Sequence, residues 1–369
     1  SYPHTFKPVF KRLFNYKSIC EEYVSDSIEV TNKPSIGVLY AEISGALGFS
    51  FLDCGKVMGL SSYGNKLVNI DYQESQDQPN RCIINNMHEY SREDLSYTIQ
   101  SISQNYCLDL IKDQLDKTGC KNVTFSGGYG LNCVANYFYR KHLPENVNLY
   151  VDPLSYDGGA SIGVAKYAYH LLYKDSNIRK QTSVYTGTNI CESVAGEDVS
   201  YEDIISLLIS GEIVALFQGR SEAGPRALGN RSILFDPRIT NGKDIVNTVK
   251  GREFFRPFAA TVLKEDCHDW FDMAGLDESP FMMYAVDAKQ DKKHLIPSVI
   301  HVDGTCRVQT VTKDQNYHFY NLINLFKNKT GVPLLFNTSF NLAGDPIVET
   351  TEHAIDTLKR SDIKYLYLP

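Results

Sequence analysis

The densest chemistry in this 369-residue sequence lies between Arg220 and Phe258. The cations Arg220, Arg226, Arg231, Arg238, Lys243, Lys250, Arg252 and Arg256 all fall in that window, although the chain as a whole carries a formal net charge of -7. Local cations inside an acidic chain point to a bound anion. Arginine offers a planar fork that grips phosphate or carboxylate through two bonds. Gly224-Pro225 and Gly229 let the backbone turn tightly between the arginines. The competing reading is a solvated face of surface ion pairs, each worth about 0–1 kcal/mol. Two features count against it. The arginines alternate with Gly, Pro, Ala, Leu and Phe, not with Glu at helical spacing, and the window follows the strand-like run Ile213–Phe217. Cations held beside a buried strand read as the wall of a phosphate-type pocket.

A second constellation lies upstream. Val123–Phe125 reads as a short buried strand, Ser126–Asn132 as a glycine-rich turn and Cys133–Arg140 as a helix. Strand, glycine loop and helix is a recurrent phosphate cradle, because a helix N-terminus offers free N–H groups. Gly127-Gly128 taken alone is equally a simple turn. Asn148–Val151, a turn at Asp157–Ser161 and a helix from Ile162 to Tyr173 form a similar unit. On spacing alone Asp157 reads as a helix N-cap.

The nine cysteines contain no Cys-x-x-Cys pair, which fits scattered reduced thiols in a cytoplasmic protein. No two of the nine histidines are four residues apart. No apolar run reaches membrane-spanning length and no secretory pattern opens the chain. The acidic balance argues against bulk nucleic-acid binding. Position 1 is Ser, as in a processed product or a split subunit.

Other elements must position these groups. Residues 2–32 read as loop and helix, Ile36–Phe49 as a helix, and Gly55–Leu60 as a turn-rich segment. Residues 74–80 read as a surface excursion and Glu93–Lys117 as a long amphipathic helix. Residues 174–200 are polar and read as a linker between a first domain, 1–173, and a second, 201–369. In the second, Tyr201–Ser210 and Asn321–Asn328 read as helices. Pro333–Phe336 reads as a strand feeding a turn at Asn337-Thr338-Ser339, and Ile363–Leu368 as a last strand. The class is α/β.

The cationic window resembles the signature of the O-carbamoyltransferases of nodulation-factor and antibiotic biosynthesis. The likeness continues at His301–Thr310, at Phe336–Asn341 and at Gly344–Val348, and upstream at Gly55–Leu60 and Ser126–Cys133. It runs from about Ile36 to the C-terminus. Several motifs in the right order make it specific.

The resemblance implies a partial ASKHA (actin-like ATPase) domain followed by a YrdC-like open twisted α/β domain. It implies that carbamoyl phosphate and ATP, with Mg2+, give carbamoyl adenylate in the second domain, and that the carbamoyl group then passes to a hydroxyl in the first. By match to the family pattern, Arg226, Lys250, Arg256 and Arg307 serve carbamoyl phosphate and the nucleotide phosphates. Ser339, Asn337 and Thr338 donate hydrogen bonds there, and Gly127, Gly128 and Asn132 form a cofactor loop. Arg220, Arg231, Arg238 and Arg252 are second choices, some pairing with Glu222, Asp236 or Glu253. Lys56 is a candidate nucleotide contact. Arg307 has the alternative of an edge-strand surface residue. His301 is a candidate acid/base or a packed strand histidine.

In the family, the matching Asp, here Asp157, ligates Fe2+ with a His-x-x-x-His pair that this chain lacks. The expectation is a second polypeptide that supplies that segment. The acceptor is a hydroxyl on a sugar, a metabolite or a hydroxymethylated nucleobase. The alternatives are a non-catalytic nucleotide-binding partner subunit and a nucleic-acid-binding module.

Overall fold

The computed structural model describes residues 11–14, 28–31, 33–75, 78, 80–173, 183–189 and 196–369. Residues 1–150 and 155–180 form one compact unit, and residues 151–154 and 181–369 a second.

In the first unit, β1 (Lys11–Phe14) and β2 (Ile28–Thr31) pair in parallel, where loop and helix were expected. The rest of that N-terminal expectation lies outside the described residues. Helix α1 (Ile36–Ala46) starts at Ser35, whose hydroxyl accepts from the Val38 N–H. Gly55–Leu60 is not a turn but part of helix α2 (Cys54–Leu60). Two helical glycines cost about 1 kcal/mol each. Burying Val57, Met58 and Leu60 outweighs that, at about 1.5–3 kcal/mol per side chain.

Strands β3 (Tyr72–Glu74) and β4 (Cys82–Ile84) pair antiparallel. The turn between them includes residues 76, 77 and 79, which are outside the described set. Helix α3 (Arg92–Thr118) runs from a Ser91 cap to Gly119 in the left-handed conformation. It packs on α1 and α2 around Tyr40, Ile43, Val57, Leu95 and Ile99. Strand β5 (Asn122–Phe125), expected to be buried, is half exposed and pairs with β6 (Asn148–Val151). Helices α4 (Cys133–His142) and α5 (Ala160–Tyr173) follow. Among the described residues, the strands of this unit form three two-stranded pairs and no larger sheet. Helix α5 exposes Val164, Leu171, Leu172 and Tyr173.

In the second unit, β7 (Tyr185–Asn189) lies within the stretch expected as linker and pairs antiparallel with β9 (Arg220–Glu222). Residues 174–182 and 190–195 of that stretch are outside the described set. Helix α6 (Tyr201–Ile209) opens on a Ser200–Asp203 capping box. There follow β8 (Val214–Phe217), β10 (Arg231–Phe235), α7 (Gly242–Lys250), β11 (Ala259–Leu263), α8 (Cys267–Trp270) and β12 (Phe271–Asp272). Then come β13 (Ala285–Ala288), β14 (Thr305–Val311), α9 (Tyr317–Thr330), β15 (Leu334–Ser339), α10 (Thr351–Lys359) and β16 (Tyr365–Tyr367).

Eight strands make one open mixed sheet in the order β12-β13-β14-β11-β15-β10-β8-β16. The β11–β14 and β8–β16 pairs are parallel and the other pairs antiparallel. Strands β8, β10 and β11 are buried on both faces, which is why β8 reads as an unbroken apolar run. Helix α9 packs on β11 and β15 and against α6. The protein is thus a mixed α/β structure. The Asn337-Thr338-Ser339 turn is corrected: these residues are the end of β15, held in ladder register with β10 and, at Asn337, with β11.

Gly229 enters the loop before β10 at φ +108, and a Cβ there would overlap the Phe319 ring. Gly331 also has positive φ, +77, but faces open space. Gly331→Ala is expected to cost about 1 kcal/mol, the left-handed penalty alone. Gly229→Ala should add overpacking of about 1–3 kcal/mol to it. Urea unfolding of the two variants reads the difference; equal losses would remove the close approach as a constraint.

Candidate active site

The site is built on one face of the large sheet. Residues paired across a ladder share a face, and neighbours along a strand alternate. Arg307 of β14 is opposite Ala259 of β11, which is opposite Asn337 of β15. Gln309, Thr261 and Ser339 therefore lie on that same face. Ser339 is opposite Ser232 of β10. Polar groups so recur at every second position on strands that are otherwise apolar. Arg307 is on an interior strand, between β13 and β11, which corrects the edge-strand alternative.

These side chains bond to one another and to a covering loop. Thr261 Oγ1 donates to Gln309 Oε1 at 2.8 Å, and Asn337 Nδ2 donates to Thr261 Oγ1 at 2.9 Å. Asn337 Nδ2 is also 3.3 Å from the Ala227 carbonyl, and Gln309 Nε2 donates to the Leu228 carbonyl at 2.9 Å. Tyr185 of β7 donates to the same Leu228 carbonyl at 2.7 Å. The Gly229 N–H reaches Ser232 Oγ at 2.9 Å. From the side, Glu222 Oε1 accepts the N–H groups of Leu228 and Asn230 at 2.7 Å each and of Arg231 at 3.2 Å. The loop that carries Arg226 is thereby pinned over the polar face by buried hydrogen bonds, each costly to break. Burial pushes the Glu222 carboxyl up, and the backbone N–H bonds oppose that shift.

The cations gather at the margin of this face. Lys250, at the end of α7, is only 4% exposed. Its ammonium donates to the carbonyl of Ser339, to that of Asn341 at 2.7 Å and to Asn341 Oδ1 at 3.1 Å. Ser339 Oγ donates to Asn341 Oδ1 at 2.6 Å. Burial pushes the Lys250 ammonium well below the usual lysine range, and Arg252 and Arg256 push it further. Arg252 is pushed down to about 8, first by burial and then by Arg256 and Arg307, with Glu253 opposing. It is held by Asn247 Oδ1 at 2.7 Å and the Pro257 carbonyl at 3.0 Å, with its guanidinium over the Phe258 ring. Arg256 lies 3.6 Å from Glu253 and is partly exposed. Arg307 Nε is buried without a hydrogen-bond partner. Lys250, Arg252, Arg256 and Arg307 thus repel one another beside one carboxylate. Such crowding is what a multiply charged anion relieves.

Other expected residues are elsewhere. Thr338 alternates to the opposite face from Asn337 and Ser339 and does not join them. Arg231 is also on that opposite face and is 0% exposed. Its guanidinium is committed to the carbonyls of Gln218, Asn230, Gly219 and Glu349 and stacks on Phe217 at 3.8 Å. It pins the chain and does not present donors to a ligand. Arg238 pairs with Asp236, its Nη2 2.6 Å from Oδ2. Arg220 is exposed and donates to the Gly187 carbonyl. His301 is buried at the turn before β14, where its carbonyl accepts from Gly304.

Gly127, Gly128, Asn132, Asp157 and Lys56 belong to the first unit. Asn132 caps α4 by accepting from Ala135 at 3.0 Å and donates to Gln100, which also accepts from Tyr40. The Gly127 N–H is taken by the Ser155 carbonyl at 2.6 Å. These bonds commit the Gly127 N–H and the Asn132 side chain within the protein. Lys56 pairs with Asp53 at 3.1 Å. Asp157 is exposed in a short turn before α5, not at its cap. Among the described residues, no three His, Cys, Asp or Glu groups lie together as a metal site, so the described residues do not by themselves fit a resident metal.

Sequence reading missed Thr261, Gln309, Asn341 and the capping role of Glu222. The signal for Gln309 was there: Thr305, Arg307 and Gln309 alternate with Cys306 and Val308. Glu222 carried no such pattern.

The sequence model described as Carbamoyltransferase C-terminus matches residues 205–369, the stretch that holds this site. The nodulation protein NolNO of Sinorhizobium fredii is 32% identical over 89% of this chain and 54% of its own length. NolO of Bradyrhizobium diazoefficiens is 31% identical over 89% of this chain and 67% of its own length. An uncharacterised protein of Methanocaldococcus jannaschii is 32% identical over 90% of this chain and 71% of its own. The chain belongs to the carbamoyltransferase family that these nodulation proteins share. It spans about half to two thirds of their length. A solved structure of full-length HypF, in its phosphate- and nucleotide-bound form, covers 46% of this chain and 20% of HypF, at 18% identity and a TM-score of 0.32. That superposition is too partial to bear on the fold.

An anion bound among the cations favours the charged form of Lys250, so binding should take up a proton. Above the depressed pKa of the unliganded site, affinity must then fall as pH rises, by up to about tenfold per pH unit. Sulfate, whose own charge is fixed, is the probe; calorimetric titration should show its affinity weakening as pH rises. A flat profile would exclude Lys250 from the anion site.

Proposed function

We propose that the chain is an O-carbamoyltransferase, or the C-terminal subunit of one, in which the second unit makes carbamoyl adenylate. The observation that carries the reading is the crowd of Lys250, Arg252, Arg256 and Arg307 at the edge of a buried polar face. Family membership supports carbamoyl chemistry at that place. In this reading the second unit is a YrdC-like domain and the first a partial ASKHA domain.

The chemistry balances in three steps. Carbamoyl phosphate and water give carbamate and phosphate. A carbamate oxygen attacks the α-phosphorus of ATP, the bond to the bridging oxygen breaks, and pyrophosphate leaves. An acceptor hydroxyl oxygen then attacks the carbamoyl carbon, its proton is lost, and AMP leaves. Each of the first two steps gathers negative charge, which preorganised cations stabilise most effectively in a site shielded from water. Arg307 and Arg256 contact phosphate oxygens in this account, and Lys250 supplies a buried charge while fixing the Ser339–Asn341 backbone. Mg2+ would arrive with ATP and shield its phosphates.

The transfer step is assigned to the first unit together with a covering segment, which would also supply the Fe2+ ligands that Asp157 lacks. The exposed apolar face of α5 and the extra length of the relatives support such a covering segment. A sugar, a metabolite or a nucleobase hydroxyl is the acceptor class. The second reading, a nucleotide-binding partner without catalysis, is favoured by the lack of a metal cluster among the described residues. A nucleic-acid module is less favoured, because Lys250 and Arg231 are buried and do not form a surface stripe.

Carbamoyl-phosphate-dependent ATP–pyrophosphate exchange separates these readings. The chain should catalyse exchange, and Arg307→Met and Arg256→Met should lower it by about 10²-fold or more. Exchange that survives unchanged in both variants would remove the cation cluster from the reaction. A folded chain that binds ATP but shows no exchange, with or without the covering polypeptide, would leave the binding reading in its place.

A further inference from the structure

The buried polar face ends in an acceptor that the protein itself does not satisfy. Thr261 and Asn337 are 0% exposed and Gln309 is 2% exposed. Their hydrogen bonds run in one direction. Gln309 Nε2 donates to the Leu228 carbonyl at 2.9 Å, which turns Gln309 Oε1 toward Thr261. The single hydroxyl proton of Thr261 goes to that Oε1 at 2.8 Å. Thr261 Oγ1 can then only accept from Asn337, and Nδ2 supplies the bond at 2.9 Å. Nδ2 also faces two further acceptors, Gln309 Oε1 at 3.2 Å and the Ala227 carbonyl at 3.3 Å. Turning the amide over would set Oδ1 against groups that offer it no proton. The orientation is therefore fixed, and Asn337 Oδ1 is a buried acceptor to which no group among the described residues donates.

Such an acceptor is costly unless a donor reaches it. Its position says which kind of donor. Asn337 is two residues before Ser339 on the same face of β15, about 7 Å along the strand, and the Ser339 carbonyl is held by the Lys250 ammonium. Across the ladder, Asn337 and Arg307 flank Ala259 in register on that face, so their backbones are about 10 Å apart. Arg307 Nε is buried and meets no acceptor among the described residues. Ala259 carries only a methyl group and shares a buried apolar cluster with Leu228 and Met282. A ligand that answers this face is anionic at one end and offers an N–H at the other. Carbamoyl phosphate is such a molecule, with a phosphate at one end and a planar amide, two N–H groups on its nitrogen, at the other.

We propose that Asn337 Oδ1 accepts an amide N–H of the carbamoyl group and makes the site selective for carbamoyl over acyl phosphates of the same shape. The proposal rests on the carbamoyl-phosphate reading given above and adds the atom that recognises the nitrogen. The phosphate lies toward Lys250 and Arg307, and the amide nitrogen toward Asn337. A methyl group in place of that nitrogen leaves Oδ1 buried without a partner. A site built to hydrogen-bond an N–H rejects the analogue that lacks it more strongly than an apolar pocket can.

The test uses two stable phosphonates of one shape. Phosphonoacetamide ends in NH2, and 2-oxopropylphosphonate ends in CH3. Both are titrated calorimetrically into the whole chain, with inorganic pyrophosphate as the reference anion. The wild type should bind phosphonoacetamide about tenfold or more tightly than the methyl ketone. Asn337→Leu keeps the side-chain volume and removes Oδ1, so the preference should fall to within about twofold; Asn337→Ala gives the same readout where leucine is not accommodated. Thr261→Val breaks a bond to Nδ2 but keeps Oδ1, and the preference should survive it. Equal binding of the two phosphonates by the wild type would overturn the proposal and leave Oδ1 to a bound water. A preference that persists without Oδ1 would also overturn it. So would one that Thr261→Val abolishes as fully as Asn337→Leu, since that marks a damaged network and not a lost acceptor. If the wild type bound pyrophosphate but neither phosphonate, the carbamoyl-phosphate reading itself would fall.

Discussion

Repulsion among cations held out of water is the constraint on which the second unit depends. Burial already disfavours the charge on Lys250, and Arg252 and Arg256 add to the cost; Arg256 and Arg307 add likewise to that of Arg252. Among the described residues, Glu253 is the acid that opposes the shift on Arg252. A folded protein tolerates such an arrangement when the rest of the structure over-determines it. Here the over-determination is visible. Lys250 is tied by three hydrogen bonds to Ser339 at the end of β15 and to Asn341 just beyond it, and Arg252 to Asn247 and Pro257.

That rigidity has its source in the sheet. Strands β11, β14 and β15 present Thr261, Gln309 and Asn337 on one face, where they bond to one another and to the loop above. Glu222 gathers three N–H groups of the same loop. A half-satisfied network of this kind would be worse than an apolar core, so its members act as a unit. The loop that bears Arg226 therefore has one position relative to the sheet. The site is preorganised before any ligand arrives, which is what electrostatic stabilisation of a reacting anion requires.

Much of this was legible in the sequence, for identifiable reasons. Long periodic segments gave α1, α3 and α6, and the apolar runs gave β8. The cationic window pointed to an anion because its charge contrasts with an acidic chain. Three things were not legible. Helix α2 was hidden by two glycines whose local preference is overridden by burial of Val57, Met58 and Leu60. The end of β15 reads as a turn because Asn, Thr and Ser are turn formers; only the ladder to β10 and β11 makes them strand. The division of the arginines was also invisible. Whether an arginine faces ligand, carboxylate or carbonyl depends on which side of a strand it occupies, and Arg231 and Arg307 lie on opposite faces of the sheet. In the first unit Asn132 looked like a phosphate donor because a cap and a cradle share the same residue types.

The central claim is that the cations are strained until an anion joins them, and thermal melting of Arg256→Met tests it most directly. Arg256 is partly exposed, so the substitution need not damage the core. The account predicts that the variant melts at the same temperature as the wild type or higher when no anion is present, because one repulsive partner has gone. It also predicts that inorganic pyrophosphate raises the melting temperature of the wild type and does so much less in the variant. A variant that melts lower without anion, yet gains as much from pyrophosphate as the wild type, would contradict it.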